Sequence, residues 1–404
     1  MRDAYIYDGL RSPIGRLAGK LAAVRPDDLA GELIRVLVAR SPFEPGQIED
    51  VLLGCTNQAG EDSRNVARHA GLLAGLPVEV AGQTVNRLCA SGLAAVIDAA
   101  RAVTAGEGEL FVAGGVESMS RAPFAIAKAE GAYSRDLKVY DTTIGARFPN
   151  PRLIAEHGND SMPETADNVA RELNIRREEA DAFAAASQAK YAAAKADGFY
   201  DGEIHPVAAP TGKKTPPVTV AEDEHPRPDT TLAALAKLSP LFANGVVTAG
   251  NASGINDGAA VLLIGSREAG ERAKGEPMGR VVAAAVAGVP PRVMGLGPVP
   301  ASRKVLARAG LSLKDIDVIE INEAFAAQVL GCLKQMGLSA DDPRLNPNGG
   351  AIAIGHPLGC SGARLVLTAL RQLHRGGGRY ALVTLCIGVG QGLAVILERQ
   401  AGKA

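Results

Sequence analysis

Three residues, Cys89, His356 and Cys386, each combine a reactive side chain with a local pattern able to present it. Cys89 lies in "NRLCASG", directly ahead of the Ala-rich run "LAAVIDAARAVTAG". A thiol at a helix N-terminus feels the positive dipole end and free backbone N–H groups, which lower its pKa and favour nucleophilic use. A buried structural cysteine would look much the same in sequence. His356 lies in "GGAIAIGHPLGCSG", where Pro357 fixes the chain and Gly355 and Gly359 relieve crowding around the imidazole, so it is a candidate base. Cys360, close by, reads as packing.

Cys386 opens the glycine-rich end of "VTLCIGVGQG". A dinucleotide loop needs G-x-G-x-x-G directly ahead of a helix. Here the spacing is G-x-G-x-G, and the following "LAVILERQ" reads as a strand, so the dinucleotide reading fails twice. The chain holds no G-x-x-x-x-G-K-[ST] loop, and no C-x-x-C or H-E-x-x-H spacing, so no metal site is expected. Asn322 and Glu323, in "EINEAFA", end a strand, where ligands gather in layered sheets. The Asn322 amide could orient a water or an acyl oxygen, or it could simply cap the helix "EAFAAQVLGCLKQ".

The elements that must position these residues alternate between strand and helix, the signature of layered α/β architecture. "AYIYDGL" reads as a strand, and "DDLAGELIRVLVARS" as a helix capped by Asp27 or Asp28. "IEDVLLG" and "LFVAGGVES" are further strands, and Gly106 closes the helix between them. The order recurs near the end. "QIEDVLLG" (47–54) matches "DIDVIEIN" (315–322) at an offset of 268, while "CASGLAAV" (89–96) matches "GCSGARLV" (359–366) at 270. The second offset also lays "LFVAGGV" over "YALVTLC", pairing Val116 with Cys386, and Ala90 with Cys360. Two copies of one half-domain packed face to face are expected. Between them lies a polar, Pro-rich insertion with one strong helix, "REEADAFAAASQAKYAAAKADG", of the kind that serves as a lid or binding loop.

Bulk composition narrows the class. The 404 residues suit more than one domain, and 47% apolar against 22% charged residues is globular. A net charge of −1 leaves no electrostatic footprint for nucleic acid. Five irregularly spaced cysteines argue against a disulfide framework and for a reducing cytosol. The N-terminal "MRDAYIYDGLRSPIG" lacks a signal or transit pattern. The longest apolar run, Ala381–Leu397, is interrupted by glycines and reads as two buried strands about a turn, not a membrane span.

Taken together, "NRLCASG", "GGVESMS", "TAGNASGINDGAA", "NEAFA", "GGAIAIGHPLGCSGAR" and "CIGVGQG" resemble the thiolase family, in the family's order and over essentially the whole chain. The resemblance implies an α/β thiolase fold: duplicated βαβαβαββ halves in a five-layer αβαβα sandwich with an inserted loop domain. The N-terminal half would comprise 1–120 plus 250–276, the loop domain 121–249 and the C-terminal half 277–404. The loop domain would cover coenzyme A and help hold a homotetramer, a dimer of dimers, in the cytoplasm. No permanently bound cofactor is implied; coenzyme A and acetyl-CoA enter as substrates.

The resemblance also assigns roles. Cys89 would take up the acyl group as a thioester. His356 would accept the Cys89 proton and, with a water held by Asn322, bind the thioester oxygen of the second substrate. Backbone N–H groups of Cys89 and Gly388 would form the other oxyanion hole, and Cys386 would move a proton on and off the acetyl α-carbon. Arg227 and Ser253 match coenzyme A contacts, and Met162 and Phe325 match residues lining the acyl pocket. "TTIGARFPNPRL", "DSMPETADNVA" and "DEHPRPDTTLAALAKL" look more like the thiolases of aromatic degradation that cleave 3-oxoadipyl-CoA than like acetoacetyl-CoA or general β-oxidation thiolases. A dicarboxylic chain would want a cation, for which Arg135, Arg147 and Arg152 are candidates.

Three other readings are weaker. Decarboxylating or initiating condensing enzymes usually replace the second cysteine, a non-catalytic acyl-CoA binder would lose Cys89 or His356, and a dehydrogenase lacks its fingerprint.

Overall fold

The computed structural model describes residues 2–212 and 214–400, so Met1, Lys213 and the last four residues of the domain ranges lie outside it. Strands of the first half run in the order Tyr5–Arg11, Asn256–Gly265, Leu110–Ser118, Asp50–Gly54, Ala81–Val85. Those of the second run Gly279–Gly288, Gln391–Arg399, Tyr380–Ile387, Val318–Ile321. The halves share one sheet path, because Tyr5 and Ile6 pair with Arg280 and Gly279.

The duplication holds down to the register. Asp50 pairs in parallel with Phe111, and Val318 pairs in parallel with Ala381, as the two sequence offsets require. Tyr5–Arg11 is irregular between Ile6 and Asp8, and Gly279–Gly288 between Val281 and Ala283. The edge strand Ala81–Val85 is reduced in the second half to a single parallel bridge between Ile319 and Leu345.

The helices Ser91–Ala105 and Leu358–Gly376 lie between the two halves, and their side chains form one core with strands of both. The helix Pro26–Arg40 covers the outer face of the first half, and Pro298–Ala309 with Ala326–Met336 that of the second, which completes five layers. The two central helices meet backbone to backbone near their N-termini. A Cβ on Gly92 would stand 2.3 Å from the Gly359 carbonyl oxygen, and one on Gly359 would stand 2.4 Å from that of Val116. Only glycine permits this approach, and it draws the Cys89 and His356 ends of the helices together.

One helix start differs from expectation. Arg25 is the N-cap of Pro26–Arg40, and Asp27 and Asp28 fall in its first turn. Pro26 has the fixed φ suited to N1, and carboxylates one step later still face the free N–H groups. The insertion contributes the helices Met162–Glu172 and Arg177–Ala196 and two short hairpins, Phe124–Ile126 with Val139–Asp141 and Val207–Ala209 with Val218–Val220.

Candidate active site

Cys89 sits two residues ahead of the Ser91–Ala105 helix, in a tight elbow. Leu88 has φ +47°, a left-handed conformation costly for a branched side chain. Ser91 holds the elbow, accepting from the Arg87 N–H at 2.8 Å and donating to the Leu88 carbonyl at 2.6 Å. The residue is partly open at its surface, yet its sulfur lies deep among protein atoms. Burial pushes the thiol up to about 11, against the N–H groups of Gly388 and of Cys89 itself, which pull the other way. The expected acidic thiol is therefore not present at rest. Cys89 precedes even the N-cap Ala90, so desolvation outweighs the helix dipole.

His356 follows the short helical turn Ala351–Ile354 and Gly355, whose φ of +110° suits glycine. Its backbone N–H donates to Asn256 Oδ1 at 2.9 Å. Its Nδ1 stands 2.6 Å from Ser361 Oγ, while that hydroxyl donates to the Pro357 carbonyl at 2.8 Å. A hydroxyl has one proton, so with it spent on Pro357 the oxygen accepts from Nδ1–H. Burial, aided by the Arg364 charge, lowers the imidazole to about 3. His356 is thus neutral, with its lone pair on Nε2, where Asn322 Nδ2 lies at 3.3 Å.

Asn322 is not a helix cap. The following helix begins at Ala326 with Phe325 as its N-cap, and Asn322 is fully buried beside His356. Among the described residues, its Oδ1 has no hydrogen-bond partner.

Cys386 lies at the end of Tyr380–Ile387, opposite Gly392 of the returning strand. It is fully buried in an apolar cluster with Ala166, Val247, Met294, Ala324 and Phe325. Burial, and secondarily the neighbouring Cys89 and Cys332, hold its thiol well above the usual range. The loop 388–390 closes this hairpin with Val389 at φ +64° and Gly390 at φ +83°. A Cβ on Gly388 would stand 3.3 Å from Leu88 Cδ1 and 3.8 Å from Met162 Sδ. Gly388 and Met162 therefore flank the Cys89 elbow, while Phe325 shares the Cys386 cluster.

Ser253 donates its N–H to the Ala324 carbonyl at 2.9 Å, next to Phe325. Arg227 is exposed on a loop whose His225 packs against Gly254: a Cβ there would lie 2.4 Å from the imidazole Cε1. The Arg227 and Ser253 loops are thus adjacent. Of the three insertion arginines, Arg135 and Arg152 are exposed, whereas Arg147 is half-buried with Nη1 3.4 Å from the Thr142 carbonyl.

Ser361, Asn256 and Glu117 also build the site, and sequence reasoning gave them no role. The Glu117 carboxylate is buried and accepts from the N–H groups of Thr56, Asn57 and Gly359, tying the His356 turn to the first half. Ser361 was findable, since it lies just past His356 in one quoted motif. Asn256 and Glu117 also stood in quoted motifs, but their contacts with the His356 turn span 100 and 242 residues.

Comparison with known proteins agrees with this architecture. Residues 4–268 match the family profile described as "Thiolase, N-terminal domain", and 275–399 that described as "Thiolase, C-terminal domain". The chain is 59% identical over 401 residues, 99% of its length and 100% of the relative's, to the 3-oxoadipyl-CoA/3-oxo-5,6-dehydrosuberyl-CoA thiolase of Escherichia coli strain K12. It is 42% identical to a 3-ketoacyl-CoA thiolase of Vibrio vulnificus, across 99% of this chain and 100% of that one. The structure of a Bacillus anthracis acetyl-CoA acetyltransferase superposes with TM-score 0.92 at 38% identity, covering 99% of each chain. That of human mitochondrial 3-ketoacyl-CoA thiolase in complex with CoA superposes with TM-score 0.90 at 38% identity, covering 99% of this chain and 98% of that one. Matched by both halves of one family, and by full-length relatives at this identity, the chain belongs to the thiolase family of acyltransferases.

Proposed function

We propose that the chain cleaves 3-oxoadipyl-CoA with coenzyme A, giving succinyl-CoA and acetyl-CoA through a Cys89 thioester. One observation supports the chemistry above the others. Burial raises the Cys89 thiol against the N–H groups of Gly388 and of Cys89 itself, while the neutral imidazole holds its proton on Nδ1 and leaves Nε2 an acceptor, met at rest by the Asn322 amide at 3.3 Å. The substrate reading draws on relatives 56–59% identical that are named for 3-oxoadipyl-CoA or β-ketoadipyl-CoA.

In the first half-reaction the Cys89 proton passes to His356 Nε2 and the sulfur bonds to C3 of the 3-oxoacyl chain. The C2–C3 bond breaks, and C2 of the departing acetyl-CoA takes the Cys386 proton. In the second, the coenzyme A thiol returns a proton to Cys386 and attacks the thioester carbon. Cys89 leaves and recovers its proton from His356. The Cys89 and Gly388 N–H groups hold the tetrahedral oxyanion, and such donors are each worth about 10²–10³ in rate. Protonated Nε2, with a water on Asn322, serves the second oxyanion; Asn322 Oδ1, without a partner among the described residues, leaves an acceptor for that water.

Arg227 and Ser253 would contact coenzyme A, and Met162 and Phe325 the acyl chain. Arg147, the half-buried arginine of the three, is our choice for the free carboxylate. The 121–249 segment would form the loop domain between halves 1–120 plus 250–276 and 277–404. It presents apolar side chains on its first hairpin, with Phe124 72% and Ile126 57% exposed, which supports a homotetramer. Five free cysteines, one of them nucleophilic, fit a reducing cytoplasm.

A cleavage panel tests the reading. 3-Oxoadipyl-CoA should give a higher kcat/KM than acetoacetyl-CoA or longer straight-chain substrates, and a preference for acetoacetyl-CoA would replace it with an acetoacetyl-CoA thiolase.

A further inference from the structure

The insertion helix Arg177–Ala196 sends two adjacent buried side chains into the site region. Ser187 donates to Glu323 Oε2 at 2.7 Å and accepts from the Gly350 N–H at 3.1 Å. The same Glu323 oxygen accepts from the Ile352 N–H at 3.1 Å. Ser187 thereby pins the start of the turn that ends at His356.

Gln188 does something different, because its amide joins two loops. Its Nε2 donates to the Ile352 carbonyl at 3.2 Å, and its Oε1 accepts from the Arg227 N–H at 2.9 Å. Flipping the amide would set two acceptors and two donors against each other, so the orientation is fixed. Ile352 belongs to the turn Ala351–Ile354 that delivers His356. Burial lowers the His225 imidazole and the nearby Ile352 backbone acts in the opposite sense, so the Arg227 loop comes close to the same turn a second time. Beyond that point His225 packs on Gly254, beside Ser253.

We propose that Gln188 is a positioning residue that couples the coenzyme A seat at Arg227 and Ser253 to the placement of His356. It touches neither substrate nor the reacting atoms. With one amide spanning both loops, ordering of the Arg227 loop by a nucleotide-bearing thioester fixes the Ile352 carbonyl, and through it the His356 turn. The inference rests on the proposed coenzyme A contact of Arg227.

The test uses Gln188→Met, with Gln188→Leu as a second isostere should the first fall short of the wild-type melting temperature. Each lost hydrogen bond corresponds to about a 3- to 10-fold effect. The KM for coenzyme A should rise by about that factor. Alkylation of Cys89 by iodoacetamide, which needs no coenzyme A seat, should slow by a similar factor of about 3 to 10 as His356 drifts. Hydrogen exchange supplies the coupling readout. Saturating coenzyme A should slow exchange across residues 350–356 in the wild type and should not in the variant. A folded variant with unchanged KM, unchanged alkylation and full protection of 350–356 would overturn the proposal. A merely structural role predicts that result together with a lower melting temperature. Failure of the wild-type chain to bind coenzyme A or to perform thiolysis would instead remove the underlying function, and this inference with it.

Discussion

The Ser361 hydroxyl lies 2.6 Å from His356 Nδ1 and spends its own proton on the Pro357 carbonyl, so the imidazole proton is held on Nδ1 and Nε2 is left basic. That tautomer is the one a base for Cys89 requires. Ser361→Ala frees the ring to carry its proton on either nitrogen. The kcat of thiolysis should fall on the order of 10-fold, with KM for coenzyme A little changed. An unaltered kcat would show that the tautomer is set by something else.

The proposed roles of Cys386 and Cys89 should separate by half-reaction. Cys386→Ala should still be acylated at Cys89 by a reactive acyl-CoA, yet exchange of the acetyl α-protons of acetyl-CoA with deuterated solvent should stop. Retained exchange, read by mass spectrometry, would remove Cys386 from the proton-transfer role.

His356 also makes stability depend on pH. Its folded pKa, about 3, is below the ordinary 6.5, so the unfolded chain binds the extra proton first. Its contribution is complete above 6.5 and is lost as pH falls from about 6.5 toward 3. The Ser361 hydroxyl, the Asn322 amide and the Arg364 charge face the ring. His225, lowered to about 4, acts in the same sense, so the wild type alone is not diagnostic. The difference between wild type and His356→Gln isolates the term. Denaturant midpoints of the two should diverge steadily below pH 6.5, the wild type losing more, and parallel curves would contradict the neutral imidazole.

Arg147 is the specificity prediction. Arg147→Ala should reduce the preference for 3-oxoadipyl-CoA over acetoacetyl-CoA by about tenfold, the scale of one charge-assisted hydrogen bond, with acetoacetyl-CoA cleavage unchanged. Unchanged selectivity clears Arg147 of the role.

Much of the fold could be read because it is local. Alternation and periodicity located the principal strands and helices, and glycines such as Gly106 and Gly310 close helices in the left-handed conformation. The repeat offsets even carried the sheet register, since a strand slipped by one residue would turn its buried face outward. What failed was decided by tertiary surroundings. The helix dipole argued for an acidic Cys89, but desolvation of the sulfur is invisible in "NRLCASG" and wins. Asn322 looked like a cap because no local signal delays the helix start to Ala326, with Phe325 as its N-cap. Gln188, one polar residue in an amphipathic helix, gains meaning only from partners 39 and 164 residues away.

On the proposed function, Cys89 carries the acyl group of a 3-oxoadipyl substrate. Mixing the enzyme with 3-oxoadipyl-CoA in the absence of free coenzyme A, quenching in acid and mapping the peptides by mass spectrometry tests it directly. A succinyl thioester is expected on Cys89, released on adding coenzyme A and absent from Cys89→Ala. A succinyl group on another residue, or turnover retained by Cys89→Ala, would contradict it.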